Sequence, residues 1–209
     1  VTDHPILEAK IKLKTILTVA TAIAVTAIFA TSGAAADTFM IDKTHSSVEF
    51  AVKHMVVSKV KGAFNEFAGT IVYDEADITK SSIDVTIKVA SIDTKDEKRD
   101  EHLRNPDFFD AESFPEITFK SKRVEKSGDG FVAVGDLTMR GVTKEVSMPF
   151  TVSGVITDPW GNVRMGASAT LTVDRQDYEI SFSKKLDNGG LLVGDDVDIE
   201  IEIEAVKEK

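Results

Sequence analysis

The chain has four histidines and no cysteine with which to do chemistry in its 209 residues. The lack of cysteine excludes disulfides, zinc–thiolate sites, iron–sulfur clusters and thiol nucleophiles. His45 and His54 stand nine residues apart, and no H-x-H or H-E-x-x-H spacing occurs. His54 shares parity with Val48, Phe50 and Val52, which makes it a hydrogen-bonded core histidine before it is a metal ligand. Ser46 and Ser47 follow His45, but neighbours along a strand point to opposite faces, and no G-x-S-x-G elbow is present. Asp93, Asp96, Asp107 and Asp110 cluster in one segment, and Asp195-Asp196 open another. A glycosidase pair needs two acids at a fixed separation across a cleft. Turns and helix ends use Asp for ordinary capping, which is the plainer reading. Gly189-Gly190 and the Gly141 turn lack the lysine of a phosphate loop. The sequence therefore assigns no catalytic residue, no metal ligand and no cofactor, and points away from an enzyme.

What remains is an apolar inventory rich in one ring, with 12 Phe against 1 Trp and 2 Tyr. The segments that carry it alternate. Val48, Phe50 and Val52 face away from Glu49, Ala51 and Lys53; Ile83, Val85, Ile87 and Val89 face away from Asp84, Thr86 and Lys88. Val197, Ile199, Ile201 and Ile203 alternate with Asp198, Glu200, Glu202 and Glu204. Period two marks half-buried strands. Residues 59–73 read as two strands or one bulged strand around Asn65-Glu66, and 116–125 as another. Turns at Ser127-Gly128-Asp129-Gly130, Arg140-Gly141-Val142-Thr143, Asp158-Pro159-Trp160-Gly161-Asn162 and Asn188-Gly189-Gly190 separate further strands. Residues 94–109 break the pattern: charges crowd 95–101, Thr94 or Asp93 can cap a helix, and Pro106 stops it. A second helical turn is expected at 174–180. The expected fold is all-β: a closed antiparallel barrel, or a sandwich, of about eight strands with one short helix in a long connection. An eight-stranded barrel is either filled by its own side chains or holds one small ligand. Periodicity does not choose between these.

The first thirty-six residues read as an address. Lys10, Lys12 and Lys14 precede an uncharged run from Ile16 to Ala30, then Thr31-Ser32-Gly33 and Ala34-Ala35-Ala36. That is the secretory signal pattern, with cleavage expected between Ala36 and Asp37. The run is short of the ~20 residues a membrane span needs, so no stable span is expected after cleavage. Residues 1–9 fit a signal poorly and are expected to reflect an upstream start assignment. The remaining domain, 37–209, carries 22 bases and 33 acids, a formal charge of −11, which argues against nucleic-acid binding. The expected location is the periplasm or outside the cell.

Ordered matches then run through nearly all of 38–206. They include Thr44-His45-Ser46-Ser47-Val48-Glu49-Phe50, Ser91-Ile92-Asp93-Thr94, Arg99-Asp100, His102-Leu103-Arg104, Asp107-Phe108-Phe109-Asp110, Gly135-Asp136-Leu137-Thr138, Asp158-Pro159-Trp160-Gly161 and Leu192-Val193-Gly194-Asp195. On these residues the chain resembles the YceI-like family of exported, lipocalin-like polyisoprenoid-binding proteins. The resemblance implies a lipocalin-like barrel with a long hydrophobic pore. It implies a bound polyisoprenoid, isoprenoid quinone or similar long-tailed lipid, a role in stress response or carriage, and homodimers in many members. The alternatives are a periplasmic enzyme acting on such a lipid and a structural stress protein with an incidental pocket. Inward parity nominates Phe50, Val52, Phe64, Val85, Ile87, Phe119, Met148, Phe150, Leu171 and Ile201 for the pore wall. Leu103, Phe108 and Phe109 are expected to pin the charged connection across the barrel wall or mouth. His45 and His102 are candidates for hydrogen bonds there, and Arg140, Arg164 and Arg175 for local contact with a head group.

Overall fold

The computed structural model describes residues 36–55, 57–184 and 190–209. The expected signal segment, apart from Ala36, and the Asn188-Gly189 part of the last turn lie outside the described residues. Eleven strands follow in order: β1 (Asp37–Ile41), β2 (Ser47–His54), β3 (Ser58–Phe64), β4 (Phe67–Tyr73), β5 (Ser82–Lys88), β6 (Ile92–Asp93), β7 (Glu116–Ser127), β8 (Gly130–Met139), β9 (Val142–Thr157), β10 (Val163–Asp174) and β11 (Val193–Lys207). Among the described residues one α-helix, α1 (Glu97–Arg104), lies between β6 and β7.

The pairing reduces these eleven to eight staves. β11 pairs with β2 from Val193 to Glu202 and then with β1 from Ala205 to Lys207. β1 and β2 are thus one long strand bent over Asp42–Ser46, where Lys43–His45 form a 3-10 turn. β3 and β4 are likewise one strand broken at Asn65-Glu66, and β5 and β6 one strand interrupted by the 3-10 turn Val89–Ser91. Neighbours run β1-β4-β5-β7-β8-β9-β10-β11, and β11 returns to β1, so the antiparallel barrel is closed. Closure removes the exposed edges that a sheet of this length would otherwise present.

Local chemistry sets the joints. Arg140 and Gly141 both take positive φ, 50° and 75°, which is the two-residue hairpin turn whose twist suits antiparallel strands. β9 therefore begins at Val142, directly after the turn. The helix is capped by Asp96, not by Thr94 or Asp93. Lys95 at φ 63° turns the chain so that the Asp96 carboxylate accepts from the Arg99 amide. Thr94 is already engaged: its amide and hydroxyl both donate to buried Asp100, at 2.8 and 2.5 Å. The helical turn expected at 174–180 is a 3-10 turn over Arg175–Tyr178.

The two barrel ends differ. One carries the β2–β3 hairpin, the 94–115 connection and residues 175–184 and 190–192. The other carries the 74–81 and 158–162 turns and a small separate core of Phe39, Ile71, Tyr73, Met165 and Ala205.

Candidate functional site

The barrel is hollow. A cavity of about 200 Å³ runs between the sheet faces, and all ten expected wall residues line it. Phe64, Phe119 and Met148 are buried outright. Phe50, Val52, Val85, Ile87, Phe150, Leu171 and Ile201 point inward yet keep part of their surface accessible. An inward side chain in a packed core would lose that surface, so the half-burial of these seven marks open space. Among the described residues the lining is apolar nearly throughout, with only Glu49, Ser168 and Arg175 as polar members.

Aromatic side chains shape the end beneath α1. Phe50 and Phe64 rings lie 5.7 Å apart, and Phe109 meets Phe64 edge-on at 5.8 Å. Gly62 opposite Phe50 makes this possible, because a Cβ there would fall 2.5 Å from the Phe50 ring. Phe108 packs on Phe182 at 4.9 Å, and the His102 ring stands edge-on to both at 5.0 and 5.1 Å. Leu103, Phe108 and Phe109 all reach the cavity, so the charged connection is pinned over this end as its apolar residues required. Arg104 holds α1 to the barrel by donating to the Ala90 and Ile92 carbonyls. Arg140 joins the two covering connections by donating to the carbonyls of Pro106 and Glu179. His102 bonds Asp107 at 3.1 Å within this cover. His45 does not belong to it: it sits at the far end, 2.9 Å from Asp42.

The three candidate head-group arginines are separated. Only Arg175 reaches the cavity, and its guanidinium is spent on the Gly194, Ile180 and Val193 carbonyls and on Asp195 at 2.9 Å. Arg164 lies at the far end between Asp42, Asp158 and Glu204, at 2.9, 2.8 and 2.5 Å. Asp42, His45 and Glu204 are close enough to share a cation, but Arg164 already donates to both carboxylates, so its charge occupies that place. Arg140 serves the cover. Sequence reasoning did not find Tyr178, whose hydroxyl is buried with no hydrogen-bond partner. Burial pushes that phenol up to about 12, so it stays protonated at neutral pH. Only its place in the helical stretch after β10 was legible, not its burial. No nucleophile paired with a base lines the cavity among the described residues. The arrangement can enclose a hydrocarbon chain.

A model of the YceI-like domain matches residues 39–205. A UPF0312 protein of Staphylococcus aureus (strain MSSA476) is 40% identical over 167 residues, covering 79% of this chain and 95% of that protein. The solved structure of a Campylobacter jejuni YCEI protein is similar at a TM-score of 0.65 and 32% identity, covering 75% of this chain and 90% of that one. A polyisoprenoid binding domain from Saccharophagus degradans shares the fold at a TM-score of 0.60 and 14% identity, covering 81% of this chain and 98% of that one.

Proposed function

The chain belongs to the YceI-like family, and from that premise we propose that it is an exported binding protein holding the tail of a long-chain amphiphile inside its barrel. The observation that carries this reading is the hollow itself: a closed barrel whose inward Ile, Val, Leu and Phe side chains surround open apolar space. Export rests on the basic cluster and apolar run of residues 10–30. The ligand class is a polyisoprenoid, an isoprenoid quinone or a similar lipid, in keeping with what the Saccharophagus domain is described as binding. Carriage of such a lipid, including under stress, is the role this chemistry suits. A binder suits the cavity better than an enzyme because its few polar lining groups are engaged elsewhere or lie at the exposed surface. Ser168 bonds Thr151 at 3.0 Å, the Arg175 guanidinium donates to three carbonyls and Asp195, and Glu49 is exposed.

The energetics favour long tails. Each buried methylene contributes roughly 0.8 kcal/mol, so ten give ~8 kcal/mol before costs. Association and chain ordering remove ~4 kcal/mol or more. A short tail therefore fails, and a long one binds without a specific polar contact.

The test is organic extraction and mass spectrometry of the purified protein, then titration of the delipidated protein with isoprenoid alcohols and quinones of increasing tail length. Affinity should rise with length until the cavity is full. Affinity independent of tail length, or binding of the bare head group, would refute the cavity as the functional site. Turnover of the lipid would establish an enzyme instead.

A further inference from the structure

The tip of the β2–β3 hairpin stands out among the exposed surfaces. Val57 is 84% exposed and Met55 is 39% exposed, on a turn with Met55 at φ 50°. The turn is closed by the Val57 amide donating to the His54 carbonyl at 3.2 Å. It is also fastened to the covered end of the barrel, where the Met55 amide donates to the Leu192 carbonyl at 2.9 Å and His54 pairs with Val193. Val52 and Val193, beside this tip, line the cavity.

Below the apolar tip the outer face of the hairpin carries three lysines before Glu49 is reached. Lys53 lies directly opposite Lys59 across the two strands, and Lys61 follows on the same face opposite Ala51. Like charges placed directly opposite each other destabilise a strand pair, so the hairpin gains nothing for its own stability from this arrangement. Asp198 takes up Lys59 at 2.8 Å, which leaves Lys53 and Lys61 without an ion pair among the described residues. The chain's net charge of −10 does not decide what such a tip meets, because at physiological salt charges beyond about 8 Å are screened.

We propose that this tip docks the protein on a lipid bilayer, with Met55 and Val57 entering the interfacial layer and Lys53 and Lys61 meeting anionic phosphates. A short apolar tip above lysines fits a surface that is apolar inside and phosphate-lined outside, and long lysine side chains reach to the phosphate level while their stems stay on apolar surface. The tip adjoins the covered end of the cavity, so docking there would bring that end to the source of an insoluble tail. Its purpose, though not its existence, rests on the reading of the cavity as a lipid site.

The molecule contains its own control. Trp160, 82% exposed on the β9–β10 turn, is the single tryptophan and sits at the opposite end. Along β11 the two ends are marked by Val193 and Val206, about 40 Å apart at strand rise. Since the chain has no cysteine, Val57→Cys accepts one environment-sensitive dye cleanly. The processed protein, its N-terminus checked by mass spectrometry, is mixed with vesicles of phosphatidylcholine containing phosphatidylglycerol. The dye at position 57 should shift to the blue while Trp160 emission stays constant. Lys53→Gln and Lys61→Gln should each weaken vesicle binding roughly fivefold. Val57→Asp should slow lipid transfer from vesicles at least tenfold yet leave solution binding of a detergent-dispersed lipid unchanged. A dye that ignores vesicles, a Trp160 shift instead, or a dye shift that needs only more protein and marks a second copy, each overturns the proposal. Loss of solution binding in the unaltered protein would instead overturn the cavity reading, leaving the vesicle arms to stand alone.

Discussion

The two ends of the barrel are closed by different physics. At the far end Arg164 joins three carboxylates from three parts of the chain: the β1–β2 bend, the 158–162 turn and β11. Beneath that latch, Phe39 and Tyr73 meet edge-on at 6.2 Å in a compact core. At the other end the closure is made of connections, not strands, with Phe108, Phe182 and His102 packed ring on ring. Of these groups only Phe108 borders the cavity, and it sits on a connection, not on a strand. The charged end is therefore assigned as the floor of the barrel and the end made of connections as its cover.

The largest effects should come from the two aromatic sets. Phe39 is 1% exposed, and Phe39→Ala should cost ~4 kcal/mol of stability measured by urea unfolding, with ligand dissociation unchanged. Phe108, at 7% exposed, borders the cavity, so Phe108→Ala should cost somewhat less, ~3 kcal/mol, and should speed dissociation. Equal effects on dissociation from both variants would erase the distinction between floor and cover. Filling the hollow tests what lies between them. Ile201→Phe adds volume at a wall position. In open space it should change stability by less than ~1 kcal/mol while lowering affinity for a long tail at least tenfold. In a packed core it would cost ~1–3 kcal/mol, and that outcome would deny the hollow.

Much of this was legible from alternation. β2, β5 and β11 stand out as period-two runs, and parity placed all ten wall candidates on the inner face because a pleated strand has only two faces to choose from. Parity could not say that Ile201 faces space while Phe119 is packed, since that depends on how far apart opposite staves lie. The merging of eleven strands into eight staves was also hidden. It depends on bends at Asp42–Ser46, where β11 pairs on both sides of the break, and at Asn65-Glu66, where β6 pairs before the break and β5 after it. The Asp96 cap was missed because Thr94 and Asp93 have equally good capping side chains. Only the positive φ of Lys95 decides, and no local signal in a lysine announces it. Arg175 and Arg164 read alike in sequence; long-range partners separate one into the cavity wall and the other into the floor.

A smaller effect belongs to the turn that joins the covering connections. Gly141 adopts φ 75°, and a Cβ there would stand 2.7 Å from the Phe114 ring. The left-handed backbone costs a residue with a Cβ about 1–2 kcal/mol. The ring sits on the cover and can yield, so Gly141→Ala should lose ~1–2 kcal/mol in total. It should also loosen the Arg140 contacts to Pro106 and Glu179, raising hydrogen exchange in 105–115 and not in β1. Exchange raised equally at both ends would mean that the turn supports the whole barrel and not its cover.

The smallest effect is the acid response of the floor. Hydrogen bonds from His45 and then Arg164 lower Asp42 from 3.8 to about 2. The folded state therefore holds this proton less tightly than the unfolded chain. The resulting stability is fully present above about pH 4 and is lost as the pH falls through about 2. Asp158 is held low as well, chiefly by Arg164. At the covered end Asp93 is also lowered to about 2, first by Lys95, two residues away in the same turn. A pair that local can persist in the unfolded chain, so its pH dependence transfers less to folding. Solvent screening keeps each contribution modest. Arg164→Gln should therefore flatten the acid limb of stability between about pH 4 and 2, while Lys95→Gln should leave it nearly unchanged, both followed by urea midpoints at each pH. If Lys95→Gln flattened it more, the acid-sensitive end would be the cover, and the assignment of charge to the floor would be wrong.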